Sequence, residues 1–133
     1  MALAAAGALA GCGGEDDYEN RPRPPSPINV TAAITDERVS VSPETFGAGP
    51  ITLIVSNQSE DEQAVTFETE EIGGSSPGVR KRSRRIAPGG TESLQVDVRE
   101  GTYAVGVSGP GIEPATVEVS RERKAAQDEL LQP

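Results

Sequence analysis

Short segments in which apolar and polar residues alternate run from residue 28 to residue 119 of this 133-residue chain. An apolar side chain at every second position is typical of a β-strand that buries one face. Turns rich in Gly and Pro separate these segments, and no helical period falls between them. We therefore predict an all-β fold, an antiparallel β-sandwich of about seven strands. The predicted strands cover residues 28–34, 39–41, 51–55, 65–67, 94–98, 103–107 and 117–119.

The composition agrees with a small sandwich and limits its partners. The chain has two Phe, two Tyr and no Trp, so Val, Ile, Leu and Ala must form the core. The 15 Gly and 11 Pro residues fit short strands joined by many turns. The net charge of −9 argues against nucleic acid as a partner, because a phosphate backbone repels such a surface.

The side chains that most enzymes and metal sites use are nearly absent. The sequence contains no histidine, its one cysteine is Cys12, and its one methionine is Met1. Ser-His-Asp and Cys-His nucleophiles cannot be assembled from such a set, and copper, zinc and iron–sulfur sites lack their usual ligands. We therefore predict no cofactor, no metal and no enzymatic activity. An enzyme that uses only carboxylates is the remaining catalytic alternative, but it lacks aromatic platforms for a sugar.

Residues 1–11 are typical of an export signal, a small and apolar run that ends just before Cys12. The tetrapeptide Leu9-Ala10-Gly11-Cys12 resembles the lipobox of bacterial lipoproteins. The resemblance implies cleavage before Cys12, a diacylglyceryl group on its sulfur, and attachment to the extracytoplasmic face of the cell membrane. Because export signals open with Lys or Arg and this one does not, we expect the natural start to lie upstream of Met1. A buried Ala-rich helix with an incidental cysteine is the alternative.

Residues 12–27 are predicted to form a tether between the lipidated cysteine and the folded domain. Acidic residues keep its first half solvated, and four prolines stiffen its second half toward polyproline II. Such a segment reaches at most about 45 Å. It would hold the domain of residues 28–119 clear of the lipid surface.

Two longer stretches resemble the cupredoxin family. The first is FGAGPITLIVSNQSEDEQAVTFET, residues 46–69, and the second is IAPGGTESLQVDVREGTYAVGVSGPG, residues 86–111. The resemblance implies a Greek-key sandwich in which Tyr103 forms a tyrosine corner. At the family's copper-ligand positions the sequence has Gln63, Val107 and Pro110, and residues 112–115 contain no sulfur. The resemblance therefore implies the fold without the electron transfer.

Two opposite charge blocks follow one another in the sequence. The acidic block contains Glu60, Asp61, Glu62, Glu68, Glu70 and Glu71, and the basic run contains Arg80, Lys81, Arg82, Arg84 and Arg85. We predict that the basic run forms a loop or an edge between strands. It is a candidate site for a polyanion: an anionic lipid, a cell-wall polymer or an acidic protein. The alternative is a solvated segment that pairs with the preceding acidic block, each pair contributing little.

These features favour a monomeric, membrane-anchored lipoprotein that displays a non-metal cupredoxin-like interaction domain. The alternative is an accessory or scaffold subunit of an envelope transport or respiratory complex. Residues 120–133 are predicted to be a short helix or a frayed tail.

Overall fold

A computed structural model of the chain describes residues 23–70 and 78–124. The predicted signal segment, Cys12, most of the tether, and the part of the tail beyond residue 124 lie outside these ranges. The described residues contain eight strands and no helix, and thus no helix that could cross a membrane. The strands are β1 (Ile28–Ile34), β2 (Val39–Ser42), β3 (Thr45–Asn57), β4 (Val65–Thr69), β5 (Arg80–Arg82), β6 (Thr91–Val98), β7 (Gly101–Val107) and β8 (Ala115–Glu122).

Two facing sheets share the long strand β3. The first sheet has the order β2-β1-β3-β6, and the second has the order β3-β8-β7-β4-β5. Both the predicted all-β class and the predicted sandwich are confirmed. The pairing is mixed rather than purely antiparallel, because β3 runs parallel to β1 and to β8. Alternation along a strand places side chains on faces but does not fix the direction of a neighbouring strand.

Strand β3 changes sheets at a bend near Gly49. Its first residues, from Thr45, pair with β8, and its later residues pair with β1 and β6. The register shifts between Gly47 and Ala48, and Gly49 has a φ of +131°. A Cβ atom at Gly49 would lie 2.8 Å from Cγ of Pro25. Gly49 and Pro50, of the residue types expected in the turns between strands, therefore form a bend inside a strand that begins six positions before the predicted start at residue 51.

The core lies between the two sheets and consists mainly of Val, Ile and Leu, as the composition predicts. Phe67 of β4 and Tyr103 of β7 stack inside it, with ring centroids 5.0 Å apart and an interplanar angle of 22°. The Tyr103 hydroxyl donates to the Arg99 carbonyl at 2.9 Å and accepts from the Arg99 amide at 3.0 Å. This is the predicted tyrosine corner, which fixes the start of β7 while keeping the buried hydroxyl paired.

Strands β5 and β8 also differ from the prediction. Strand β5, which makes eight strands rather than about seven, contains only exposed basic residues, so no apolar alternation marks it. It corresponds to the edge that was predicted for the basic run. Strand β8 continues to Glu122, past the predicted domain end at residue 119. After it, the Arg123 side chain donates to the carbonyls of Ala48 and Pro50 and so fastens the chain to the bend in β3.

Candidate functional site

A groove of about 550 Å³ opens at one end of the sandwich, where four loops meet. Asp36 comes from the β1–β2 loop, and three acidic residues and Gln63 come from the β3–β4 loop. Arg82 and Arg85 come from the end of β5 and the segment after it, and the β7–β8 loop contributes Ser108, Gly109, Pro110 and Ile112. The groove therefore joins residues that are more than seventy positions apart in the sequence.

Asn57, the last residue of β3, holds the acidic side of the groove. It is fully buried, and its amide nitrogen donates to the carbonyls of Asp61 and Ile86, both at 2.8 Å. Its side-chain oxygen accepts from the backbone and the hydroxyl of Ser59. The Glu60 backbone amide donates to Oδ1 of Asp36 at 2.9 Å, which joins the β1–β2 loop to the same side. A buried amide with all its partners in place orders the loops around it.

The basic side of the groove is held by Ser83, the buried residue between Arg82 and Arg84. Its hydroxyl accepts from the Val65 amide at 2.9 Å and donates to the Arg84 carbonyl at 2.6 Å. The next fixed point is Ile86, which exchanges two backbone hydrogen bonds with Gln63. The hydrogen bonds of Ser83 and Ile86 hold residues 82–86 in place, and in this conformation Arg82 and Arg85 line the groove.

Gln63 is a buried residue of the groove lining, next to Glu62 in the chain and bonded through its backbone to Ile86. The residue is 6% exposed, and a Cβ atom at Gly109 would lie 2.9 Å from its side-chain oxygen. Any side chain at position 109 would therefore clash with the Gln63 amide. Among the described residues the Gln63 amide has no hydrogen-bond partner, unlike the amide of Asn57. No polar side-chain atom there is both fully buried and unpaired. The Gln63 amide therefore remains accessible from the groove.

The charges around the groove are not paired with one another. The one described ion pair on the basic run joins Arg80 to Glu68, at 3.4 Å and outside the groove, and both side chains are largely exposed. This contact is of the kind expected if the basic and acidic blocks pair within the chain. Arg82 donates instead to the Ser108 hydroxyl at 2.9 Å. Opposite charges therefore face the same cavity, and its described residues form no salt bridge across it.

The five basic candidate residues thus have different surroundings. Arg82 and Arg85 line the groove, and Arg80 contacts Glu68. Lys81 pairs with Phe67 in the ladder and so lies on the other face of β5, while Arg84 is exposed outside the groove. Sequence reasoning did not single out Asp36 or Ser108. Each is an ordinary polar residue of a turn, and only the meeting of the loops brings it to the groove.

Comparison with known proteins gives structural likeness only. No protein-family model matches the sequence, and no curated protein matches it. Among solved structures, auracyanin A, a "blue" copper protein from the green thermophilic photosynthetic bacterium Chloroflexus aurantiacus, is similar with a TM-score of 0.54. It is 12% identical over 71% of this chain and 100% of its own. Auracyanin B is similar with a TM-score of 0.52 and 14% identity, over 74% of this chain and 91% of its own.

The fold is cupredoxin-like. This confirms the fold that the sequence resemblance implies, and at such low identity the likeness extends no further than the fold.

The residues of this cupredoxin-like domain do not fit copper. Gln63 and Pro110, two of the positions that the resemblance assigns to ligands, both line the groove. They supply an amide and a proline ring, and the third position is Val107. One hard oxygen from an amide is a poor substitute for the imidazole and sulfur donors of a blue-copper site. In the described ranges no group of three or more His, Cys, Asp or Glu side chains is arranged to hold a metal ion.

Proposed function

We propose that the protein is a membrane-anchored extracytoplasmic lipoprotein that displays its cupredoxin-like domain to a binding partner. The tetrapeptide Leu9-Ala10-Gly11-Cys12 supports the anchor, since it contains the one cysteine of the chain. The thiol of Cys12 is the group that would carry the lipid. Two acyl chains suffice for stable attachment, because each buried methylene contributes about 0.8 kcal/mol.

The observation that carries the display function is the position of the chain ends relative to the groove. Pro25 and Arg123, close to the two described ends, both lie against Gly49. The groove lies beyond the other end of β1, since it includes Asp36, which follows Ile34 closely. A seven-residue strand spans about 20 Å, so the groove is at the opposite end of the first sheet from Pro25, where the tether would leave. A domain held through Cys12 would present the groove away from the membrane.

The proposed role is binding without catalysis. The chain contains no histidine, and Cys12 would be consumed by the lipid. The groove offers carboxylates, guanidinium groups and an amide, which recognise ligands by charge and hydrogen bonds.

Lipid attachment is tested by expressing the full chain in a bacterial host. We expect the wild-type protein in the membrane fraction, with a mass increase at Cys12 that matches a diacylglyceryl group. Cys12→Ser should remove that mass and move the protein to the soluble extracytoplasmic fraction.

The matched control is Ser26→Cys in the Cys12→Ser background, which restores a thiol outside the lipobox. This variant should remain soluble, because the modifying enzyme needs the residues before Cys12 as well as the sulfur. Wild-type protein without added lipid, or Cys12→Ser protein that stays in the membrane, would contradict the anchor.

A further inference from the structure

The unpaired amide of Gln63 is the starting point for a ligand assignment. No polar side-chain atom of the described residues is both fully buried and unpaired, so this amide is open to the groove rather than sealed in the core. Gln63 is 6% exposed, lines the groove, and has no hydrogen-bond partner for its amide among the described residues. Such a group is suited to a ligand that both accepts from its NH₂ and donates to its oxygen.

The charges on either side of Gln63 define the ends of that ligand. Asp36 and Glu60 lie together on one side, joined by a hydrogen bond, and the carboxylates of Asp61 and Glu62 add to them. On the other side Arg82 and Arg85 present guanidinium groups, which bind carboxylates in a bidentate manner. Gln63 lies between the two sides, because it follows Glu62 in the chain and its amide lies against Gly109, the neighbour of the Ser108 that Arg82 contacts.

We propose that the groove binds a short peptide with a free ammonium group at one end and a free carboxylate at the other. The ammonium group would bind the acidic side, the carboxylate would bind Arg82 and Arg85, and a peptide group would pair with Gln63. Ile112 and Pro110 offer small apolar contacts for a side chain. A polyphosphate would be repelled by the four carboxylates, and a lone cation would leave the arginines and Gln63 unused.

This inference deepens the proposed display function, since it names the ligand of the outward-facing groove, but it does not depend on the anchor. The test therefore uses the full chain with Cys12→Ser in solution. Failure of lipid attachment would then leave peptide binding intact, and failure of peptide binding would leave the anchor intact.

The probes are three forms of trialanine, followed by NMR titration of backbone amides. Free trialanine should bind saturably and shift the amides of the loops around Gln63. N-acetyl-trialanine lacks the ammonium group, and trialanine amide lacks the carboxylate. Each should bind at least about tenfold more weakly, because loss of a charge-assisted hydrogen bond exceeds the free energy of one decade in Kd.

Matched variants assign the binding to the groove. Arg85→Ala should weaken trialanine at least about tenfold while leaving the affinity for trialanine amide unchanged. Arg84→Ala, which removes a neighbouring arginine outside the groove, should change neither. Gln63→Leu should weaken all three probes. If Gln63→Leu does not fold, Arg85→Ala still tests the proposal, because Arg85 is exposed and its replacement should not disturb folding.

Three outcomes would overturn the proposal. One is a titration with trialanine that shows no saturation up to about 100 mM, because a specific site of this kind would have a lower Kd. Another is equal affinity for free and capped trialanine. The third is an equal effect of Arg84→Ala and Arg85→Ala, which would indicate a diffuse electrostatic attraction.

Discussion

At the scale of single residues, Asn57 and Gln63 show what a buried amide does with and without partners. The Asn57 side chain forms four hydrogen bonds that hold the β3–β4 loop against the segment before β6. Gln63, six positions later, is nearly as buried, and its amide has no such partners among the described residues. The first amide orders the groove, and the second is available to a ligand.

We predict that Asn57→Ala destabilises the fold by about 2–3 kcal/mol, because it removes the four hydrogen bonds of a buried amide and leaves the Ser59 backbone amide without its acceptor. Urea denaturation of the full chain measures the change in the free energy of unfolding. Asn29→Ala, on the exposed side of β1, is the matched control and should change it by less than about 0.5 kcal/mol. Equal effects of the two substitutions would mean that the Asn57 network does not stabilise the fold.

At the scale of elements, the strands that alternate could be predicted and those that do not could not. Strand β1 buries every second side chain, so its pattern is visible in the sequence. Strand β5 has three exposed basic residues and is held by pairing with β4 and by the bond from the Val65 amide to Ser83, and β4 is distant from β5 in the sequence. The first half of β3 was missed for another reason. Gly49 and Pro50 are typical of turns, and only pairing with β8 makes that segment a strand.

The bend in β3 leads to a prediction about two glycines. Gly49 and Gly89 both have positive φ, at 131° and 77°, but only Gly49 has neighbours that a Cβ would meet. Gly89→Ala adds backbone strain alone, about 1 kcal/mol. Gly49→Ala adds contact with Pro25 to a backbone that alanine rarely adopts, so we expect about 2–3 kcal/mol. Thermal unfolding of the two variants gives the comparison. A smaller effect for Gly49→Ala would show that β3 bends without needing glycine.

At the scale of the whole molecule, the sequence was sufficient for the fold class and insufficient for the groove. Alternation, turn residues and the position of Tyr103 together predict the sandwich, and the resemblance places Gln63 near the β7–β8 loop. The acidic side of the groove depends on Asp36 meeting Glu60, and the basic side depends on Ser83 turning Arg82 and Arg85 inward. Each of these contacts joins loops that are distant in the sequence, and a single chain's pattern carries no information about such distances.

The distribution of charge over the whole molecule favours a peptide over a lipid as the target of the basic run. Arg82 and Arg85 share the groove with four carboxylates, and the chain carries a net charge of −9. Arg80 also lies beside Glu68. An anionic bilayer near these arginines would therefore meet local repulsion as well as attraction. The groove also lies at the end of the first sheet away from Pro25, where the tether would leave.

We therefore predict that the full chain with Cys12→Ser does not bind vesicles that contain phosphatidylglycerol, in co-sedimentation at about 20 mM and about 150 mM salt. Low salt is the more stringent condition, because electrostatic attraction to the vesicles is strongest there. At the higher concentration the Debye length is about 8 Å, and salt screens the surface charges. The triple substitution Glu60→Gln, Asp61→Asn and Glu62→Gln should create binding at low salt by removing the neighbouring negative charges. A matched triple substitution outside the groove should not create binding; it consists of Glu100→Gln, Glu118→Gln and Glu122→Gln. Salt-sensitive binding of the Cys12→Ser protein itself would instead assign the basic run to the lipid surface.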